Sequence, residues 1–191
     1  MARRETGLVA GGYYHLYNRG VNRGRIFFER ENYGFFLQGL RRYLGVPDEM
    51  VVVAYCLMPT HYHLVVRPET DMLSRQMQRF GISYSKAINR RFDRVGPLFE
   101  GNFGAKAVDR DEYLVHLSRY VHWNPVATGL VSDPAEWEFS SYREYVGLRR
   151  GTLPSAGVVL GHFAGPEAYR AYVLEDGARE MGRIGHLLFE E

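Results

Sequence analysis

Residues 50–69 read MVVVAYCLMPTHYHLVVRPE, and this stretch decides the fold. Val51–Met58 and His61–Arg67 are both rich in β-branched and aromatic residues, which suit extended backbone. Only Pro59 and Thr60 separate them, so the pair predicts a β-hairpin. Working upstream, Glu31–Leu44 carries Phe35, Phe36, Leu40 and Tyr43 at helical spacing and stops near Gly45 and Pro47. Gly12–Arg19 (GYYHLYNR) reads as a first strand, followed by a basic, flexible loop over Gly20–Arg25. Downstream, Leu73–Phe92 is the longest helical pattern, with Leu73, Met77, Phe80, Tyr84 and Ile88 on one face. Phe103–Val108 reads as a short fourth strand. Asp109–Asn124 reads as a helix opened by Asp109 with Glu112 three residues on, the spacing of a capping box.

The order β-α-β-β-α-β-α predicts an α+β fold, a ferredoxin-like antiparallel sheet with helices packed on it. After Pro134 the pattern weakens. Residues 147–165 form a Gly-rich connector, and Pro166–Glu175 reads as one more helix in a C-terminal helical extension. The chain divides into a domain over 1–148 and an extension over 149–191.

With 191 residues the chain has room for one ordinary domain with a real core. The net charge is +2, but it is uneven. Residues after 150 hold three arginines against six acids; the first 150 hold 21 basic against 16 acidic groups. Only Lys86 and Lys106 are lysines, so the basic groups are mostly guanidinium forks, which suit phosphate. The acidic end could brace the last predicted sheet-packing helix or cover the basic surface; the residues favour neither. The single Cys56 excludes an intramolecular disulfide and a cysteine-rich zinc site, and its apolar neighbours place it in the core. No apolar run approaches the roughly 18 residues that span a bilayer, and no secretion signal opens the chain, so a cytoplasmic protein without a membrane partner is expected.

Three groups of residues could carry chemistry. His61 and His63 alternate on a strand and so face one side, a half-site for a divalent ion. The other reading is two half-exposed sheet histidines. Tyr120 and Asn124 lie one helical turn apart. A free tyrosine hydroxyl, with a pKa of about 10, is a poor nucleophile unless a cation polarises its target. If this helix crosses the His-Tyr-His strand, Asn124 could complete a ligand set for Mg²⁺ or Mn²⁺ while Tyr120 reaches a phosphate. Otherwise Asn124, which precedes Pro125, is a helix stop. Third, Arg75, Arg79, Lys86 and Arg90 fall within roughly 60° of one another at about 100° per residue. They form either a cationic ridge for a phosphate backbone or an ordinary solvated face. Arg19, Arg23 and Arg25 add a second basic site, whereas Arg30, Arg41 and Arg42 read as surface charges. His15 could face DNA or a helix, His116 could assist Tyr120 from one turn away, and Trp123 and Trp137 read as packing residues.

Four blocks in this order, MPTHYHLVVRPE (58–69), LSRQMQRFGISYSKAINRRFDRVGPLFEGNF (73–103), DRDEYLVHLSRYVHWNPVATGLV (109–131) and FSSYREYVG (139–147), resemble the REP-associated tyrosine transposases. That family lies within the HUH single-tyrosine transposase superfamily. The resemblance runs from about residue 12 to 148, with a looser echo in AYRAYV (168–173). It implies an enzyme that cuts and rejoins single-stranded DNA at hairpin-forming palindromic repeats. It implies that His61 and His63 bind a divalent metal, Mg²⁺ or Mn²⁺, with Asn124 as the amide-type third ligand. It further implies that Tyr120 attacks the scissile phosphate, giving a 5′-phosphotyrosine and a free 3′-OH. Arg19, Arg23, Arg25, Arg75, Arg79, Lys86, Arg90 and Lys106 are the expected DNA contacts. The enzyme would act as a monomer or a homodimer. The chain departs from the family pattern at Thr60, where Asn is usual, and at Asn102 and Gly104, where Arg and Lys are usual; Lys106 lies nearby. The alternative is a domesticated, non-cleaving DNA-binding protein of the same fold. A replication initiator or relaxase would bring further domains, and an ordinary α+β protein would not join these motifs.

Overall fold

A computed structural model describes residues 7–175. In chain order it contains β1 (Tyr13–Arg19), α1 (Arg30–Leu44), β2 (Met50–Leu57), β3 (His61–Pro68), α2 (Leu73–Arg91), β4 (Gly104–Val108), α3 (Asp111–Ala127), α4 (Tyr142–Tyr145), α5 (Gly157–Leu160) and α6 (Pro166–Glu175). The strands form one sheet in the order β2-β3-β1-β4, every neighbouring pair antiparallel. Two interleaved β-α-β units produce this order, so the ferredoxin-like arrangement holds. The hairpin forms at Pro59-Thr60, with Met58 and His61 exchanging backbone hydrogen bonds of 2.8 and 3.3 Å.

Helices cover both faces of the sheet, so β2 and β3 are buried on both sides and read as continuous apolar runs. One face packs Leu16, Val52, Tyr55, Leu64 and Val66 against Phe36 and Leu40 of α1 and Met77, Phe80 and Tyr84 of α2. The other packs Ala54, Cys56 and Val65 against Leu117 and Val121 of α3, and against Tyr142, Tyr145, Val159, Tyr169 and Val173 of α4–α6. The pairing register of β2 shifts between Val52 and Ala54, which puts Val53 and Ala54 on the same face. The described part of the extension, through α6, thus contributes to the core that holds α3.

The sequence reading of α3 needs correction at both ends. The helix begins at Asp111, and Arg110, extended at φ −140°, precedes it without a side-chain cap. The Asp109–Glu112 capping box does not form; Asp111 and Glu112 instead lie in the first turn, where the helix dipole favours negative charge. The helix also continues through Pro125 to Ala127, so Asn124 is not its stop. Proline lacks one N–H donor there, while Thr128 N–H to Asn124 O (3.1 Å) and Leu130 N–H to Pro125 O (2.9 Å) close the last turn. The fourth strand begins one residue later than read, at Gly104. Among the described residues, no helix is long and apolar enough to cross a membrane.

Candidate active site

Because successive strand side chains alternate, His61, His63 and Val65 leave β3 on the face covered by α3. Tyr120 and Asn124 project from α3, one turn apart, toward the same place. His61 Nε2 lies 3.4 Å from Asn124 Oδ1. The His63 and Tyr120 rings meet edge-on at a centroid distance of 5.3 Å, and the His61 and His63 rings are 5.0 Å apart. The four residues singled out in the sequence therefore form one cluster, built from elements some sixty residues apart.

A fifth residue joins them. His15 lies on β1, two positions from Tyr17, which pairs in register with His63. Its Nε2 is 3.0 Å from His63 Nδ1, and the two ring centroids are 5.2 Å apart. On the other histidine, Nδ1 is 3.0 Å from the Thr60 hydroxyl. His15 thus faces a helix, α3, and not solvent. Its alternation with Tyr13 and Tyr17 was legible, but the pairing that sets it beside His63 was not.

His15 and His63 are fully buried, and His61 and Asn124 nearly so. Burial holds the His63 pKa well below its ordinary value, with the neighbouring His61 and His15 acting in the same direction. A neutral imidazole keeps a lone pair for a metal. Among the described residues no three His, Cys, Asp or Glu side chains are grouped to hold a metal. A cation here would therefore rest on two imidazoles, the Asn124 amide oxygen and water, a mixed N/O set suited to Mg²⁺ or Mn²⁺. Two donors about 2.1 Å from one ion stand roughly 3.0–3.4 Å apart, which the His61–Asn124 spacing matches.

The family pattern "Transposase IS200 like" matches residues 9–124, more than half of the chain, and spans all of these side chains. The chain belongs to the IS200-like transposase family. A Haemophilus influenzae protein named "Putative REP-associated tyrosine transposase" is 27% identical to this family member over 107 residues, covering 49% of this chain and 60% of that one. The matched region thus spans less than two thirds of that relative. Among solved structures, a REP-associated tyrosine transposase bound to a REP hairpin superposes with a TM-score of 0.65 at 17% identity. The superposition covers 81% of this chain and 94% of that one, a likeness of fold.

The expected DNA-contacting cations of this chain lie in several places. Lys106 on β4 pairs in register with His15 and so shares the histidine face. Arg19 ends β1 and ion-pairs with Glu100. Arg23 and Arg25 are exposed on a tight turn. Asn22 and Arg23 adopt positive φ there, and Gly20 and Val21 N–H bond to Thr60 O and Leu98 O. Arg75, Arg79, Lys86 and Arg90 are exposed on α2, opposite its buried stripe, as expected. Arg75 and Lys86 border a groove of 850 Å³ between α2 and residues 96–103, and Arg75 also borders, with Arg79, an adjoining depression beside Arg42 and Glu49. The groove shares Asn18, Glu100, Gly101 and Asn102 with a smaller hollow of 240 Å³ at Tyr17. Gly104 matters here: a Cβ at that position would come within 2.4 Å of the Tyr17 ring.

Two further histidines sit on α3. His116 is held by Tyr172 Oη at 2.8 Å, with Glu112 at 3.6 Å. His122, which the sequence reading passed over, bonds Tyr169 Oη and Ser141 Oγ, both at 2.7 Å. It ties α6 and α4 to α3. Trp137 packs as expected against Tyr33 and Phe139, with its indole N–H donating to Leu57 O at 3.0 Å. Of the arginines read as surface charges, Arg30 ion-pairs with Glu138 at 2.6 Å.

Proposed function

We propose that this transposase cleaves and rejoins single-stranded DNA beside a hairpin through a covalent 5′-phosphotyrosine on Tyr120. The observation that carries the reading is the convergence of His61, His63, Asn124 and Tyr120, three candidate ligands and a nucleophile from β3 and α3. In the cleavage step the Tyr120 oxygen bonds to the scissile phosphorus as the P–O3′ bond breaks. The phenolic proton passes, in net terms, to the departing 3′ oxygen. In rejoining, a 3′-hydroxyl oxygen forms a bond to the same phosphorus, the P–O(Tyr120) bond breaks, and the phenol recovers its proton. No external energy source is needed, because the phosphotyrosine conserves the bond. His61, His63 and Asn124 would hold a divalent cation, Mg²⁺ or Mn²⁺, which supplies Lewis-acid polarisation of the phosphate and favours the phenolate.

The likeness of fold to a transposase bound to a REP hairpin supports hairpin DNA as the substrate class. Lys106 on the histidine face, with Arg23 and Arg25 on the neighbouring turn, would take phosphates near the break. Arg75 and Lys86 would take them along the groove.

The test is a denaturing gel of protein mixed with labelled single-stranded hairpin DNA and Mn²⁺ or Mg²⁺. The expected result is a slow-migrating, protease-sensitive adduct, absent with EDTA and absent in Tyr120→Phe. Binding without any adduct, over several hairpins and both metals, would replace this reading with that of a non-cleaving DNA-binding protein.

A further inference from the structure

A neutral imidazole has one N–H and one lone pair, and a metal ligand must offer the lone pair. Which nitrogen offers it is set by what the other nitrogen touches. At His63 the contact is with another imidazole: His63 Nδ1 and His15 Nε2 are 3.0 Å apart, and both rings are fully buried. Exactly one proton can lie between two nitrogens at that distance, so the pair has two arrangements. If His15 donates, the His63 proton is forced onto Nε2, and His63 has no lone pair left there for a metal. If His63 donates, Nε2 carries the lone pair.

We infer that His15 is a positioning residue for the metal site: it accepts the His63 Nδ1 proton and thereby fixes His63 as an Nε2 ligand. The inference rests on the metal assignment made above and adds a residue to it. His15 then carries its own proton on Nδ1, so both rings stay neutral and the proton count balances. Thr60 stands in the same relation to His61, with its hydroxyl 3.0 Å from Nδ1 and Nε2 left on the Asn124 side at 3.4 Å. Both ligand histidines are thus oriented through Nδ1 and present Nε2. The position of His15 in the sheet serves this role. It is held by β3 on one side, where Val65 is its register partner, and by β4 on the other, where Lys106 is. Its ring plane lies 25° from that of His63, so the two rings meet edge to edge along the nitrogen–nitrogen contact.

The test uses the full chain carrying Tyr120→Phe, so that turnover plays no part, with and without His15→Phe or His15→Gln. Phenylalanine keeps a ring but cannot accept a proton, whereas the glutamine amide oxygen can reach the place of Nε2. Two readouts are taken. Long-range ¹H–¹⁵N NMR of the metal-free protein reports the His63 tautomer, and titration calorimetry reports Mn²⁺ affinity. The expected results are an Nδ1–H tautomer for His63 with His15 present, and a loss of Mn²⁺ affinity of about 10- to 100-fold in His15→Phe. His15→Gln should recover most of that loss, which a purely space-filling role would not produce. An Nε2–H tautomer in the His15 protein, or unchanged affinity in His15→Phe, overturns the inference. His61→Ala separates the two readings. If Mn²⁺ affinity is indifferent to His61 as well, the metal site itself is wrong; if only the His15 variants are indifferent, the positioning role alone falls.

Discussion

His122 sits fully buried on α3 and uses both ring nitrogens, on Tyr169 and on Ser141. The Ser141 hydroxyl lies 3.2 Å from Tyr55 O, to which it donates, and accepts Tyr55 N–H at 2.8 Å. With that proton committed, His122 Nε2–H donates to Ser141 and Nδ1 accepts from Tyr169. Burial pushes the His122 pKa down to about 3. Because the folded pKa is below the unfolded value of about 6.5, the unfolded chain takes up a proton that the folded protein refuses. The stabilisation is therefore complete above pH 6.5 and is lost as pH falls toward 3, by up to about 1.4 kcal/mol per pH unit. Urea unfolding at steps from pH 7 to 4 should show this slope, and His122→Gln should reduce it, leaving the part that His63 contributes; equal slopes in both proteins would rule out His122 as a source. Tyr169→Phe should cost about 1–3 kcal/mol at pH 7, because it leaves a buried acceptor on His122 unsatisfied. Neither effect was foreseeable from the sequence, where His122 is one of two histidines on a helix and its partners lie 19 and 47 residues away.

At the scale of elements, α1 and α2 cross where Gly39 meets Phe80. A methyl group at position 39 would lie 2.4 Å from the Phe80 ring, while one at Gly34, exposed on the same helix, would meet nothing within 4 Å. Gly34→Ala should raise stability by about 0.5–1 kcal/mol through helix propensity. Gly39→Ala gains the same propensity but should lower stability by about 1–3 kcal/mol, because Phe80 must shift in a packed core. Thermal melts of the two variants would test the opposite signs; two stabilised proteins would mean that the crossing is looser than described. Elements with a repeating period were the legible ones. The α2 stripe Leu73, Met77, Phe80, Tyr84 and Ile88 is buried as read. Periodicity said nothing of α4 and α5, each a single turn, or of the register shift at Val53, because none of these repeats. Asn124 before Pro125 looked like an end because local rules favour one; packing of Pro125 in the interior overrode them.

Across the whole molecule, the histidine cluster and the α2 cations occupy opposite faces of one sheet, and the hollow at Tyr17 and the groove of Arg75 and Lys86 connect them around the β4 edge. Under the proposed function, that geometry separates binding from chemistry. Lys86→Ala should weaken hairpin DNA binding and reduce the slope of log affinity against log salt by about 0.7–0.9, the loss of one phosphate contact. At saturating DNA it should leave the Tyr120 adduct intact. Fluorescence anisotropy at several salt concentrations would measure the slope, and an unchanged slope would remove Lys86 from the interface. The residue types of the site were legible, since His61, His63, Tyr120 and Asn124 stand at spacings that place each pair on one face. Their meeting was not, because it depends on which face of the sheet α3 covers.

The same separation along the chain has a consequence on the ribosome. The strand with the histidines is synthesised some fifty residues before the helix with the tyrosine, and α6, which steadies that helix through Tyr169 and Tyr172, follows after forty more. A nascent or prematurely terminated polypeptide that ends before α3 holds a metal half-site and no nucleophile. Under the proposed chemistry, an unfinished copy cannot nick the genome that encodes it.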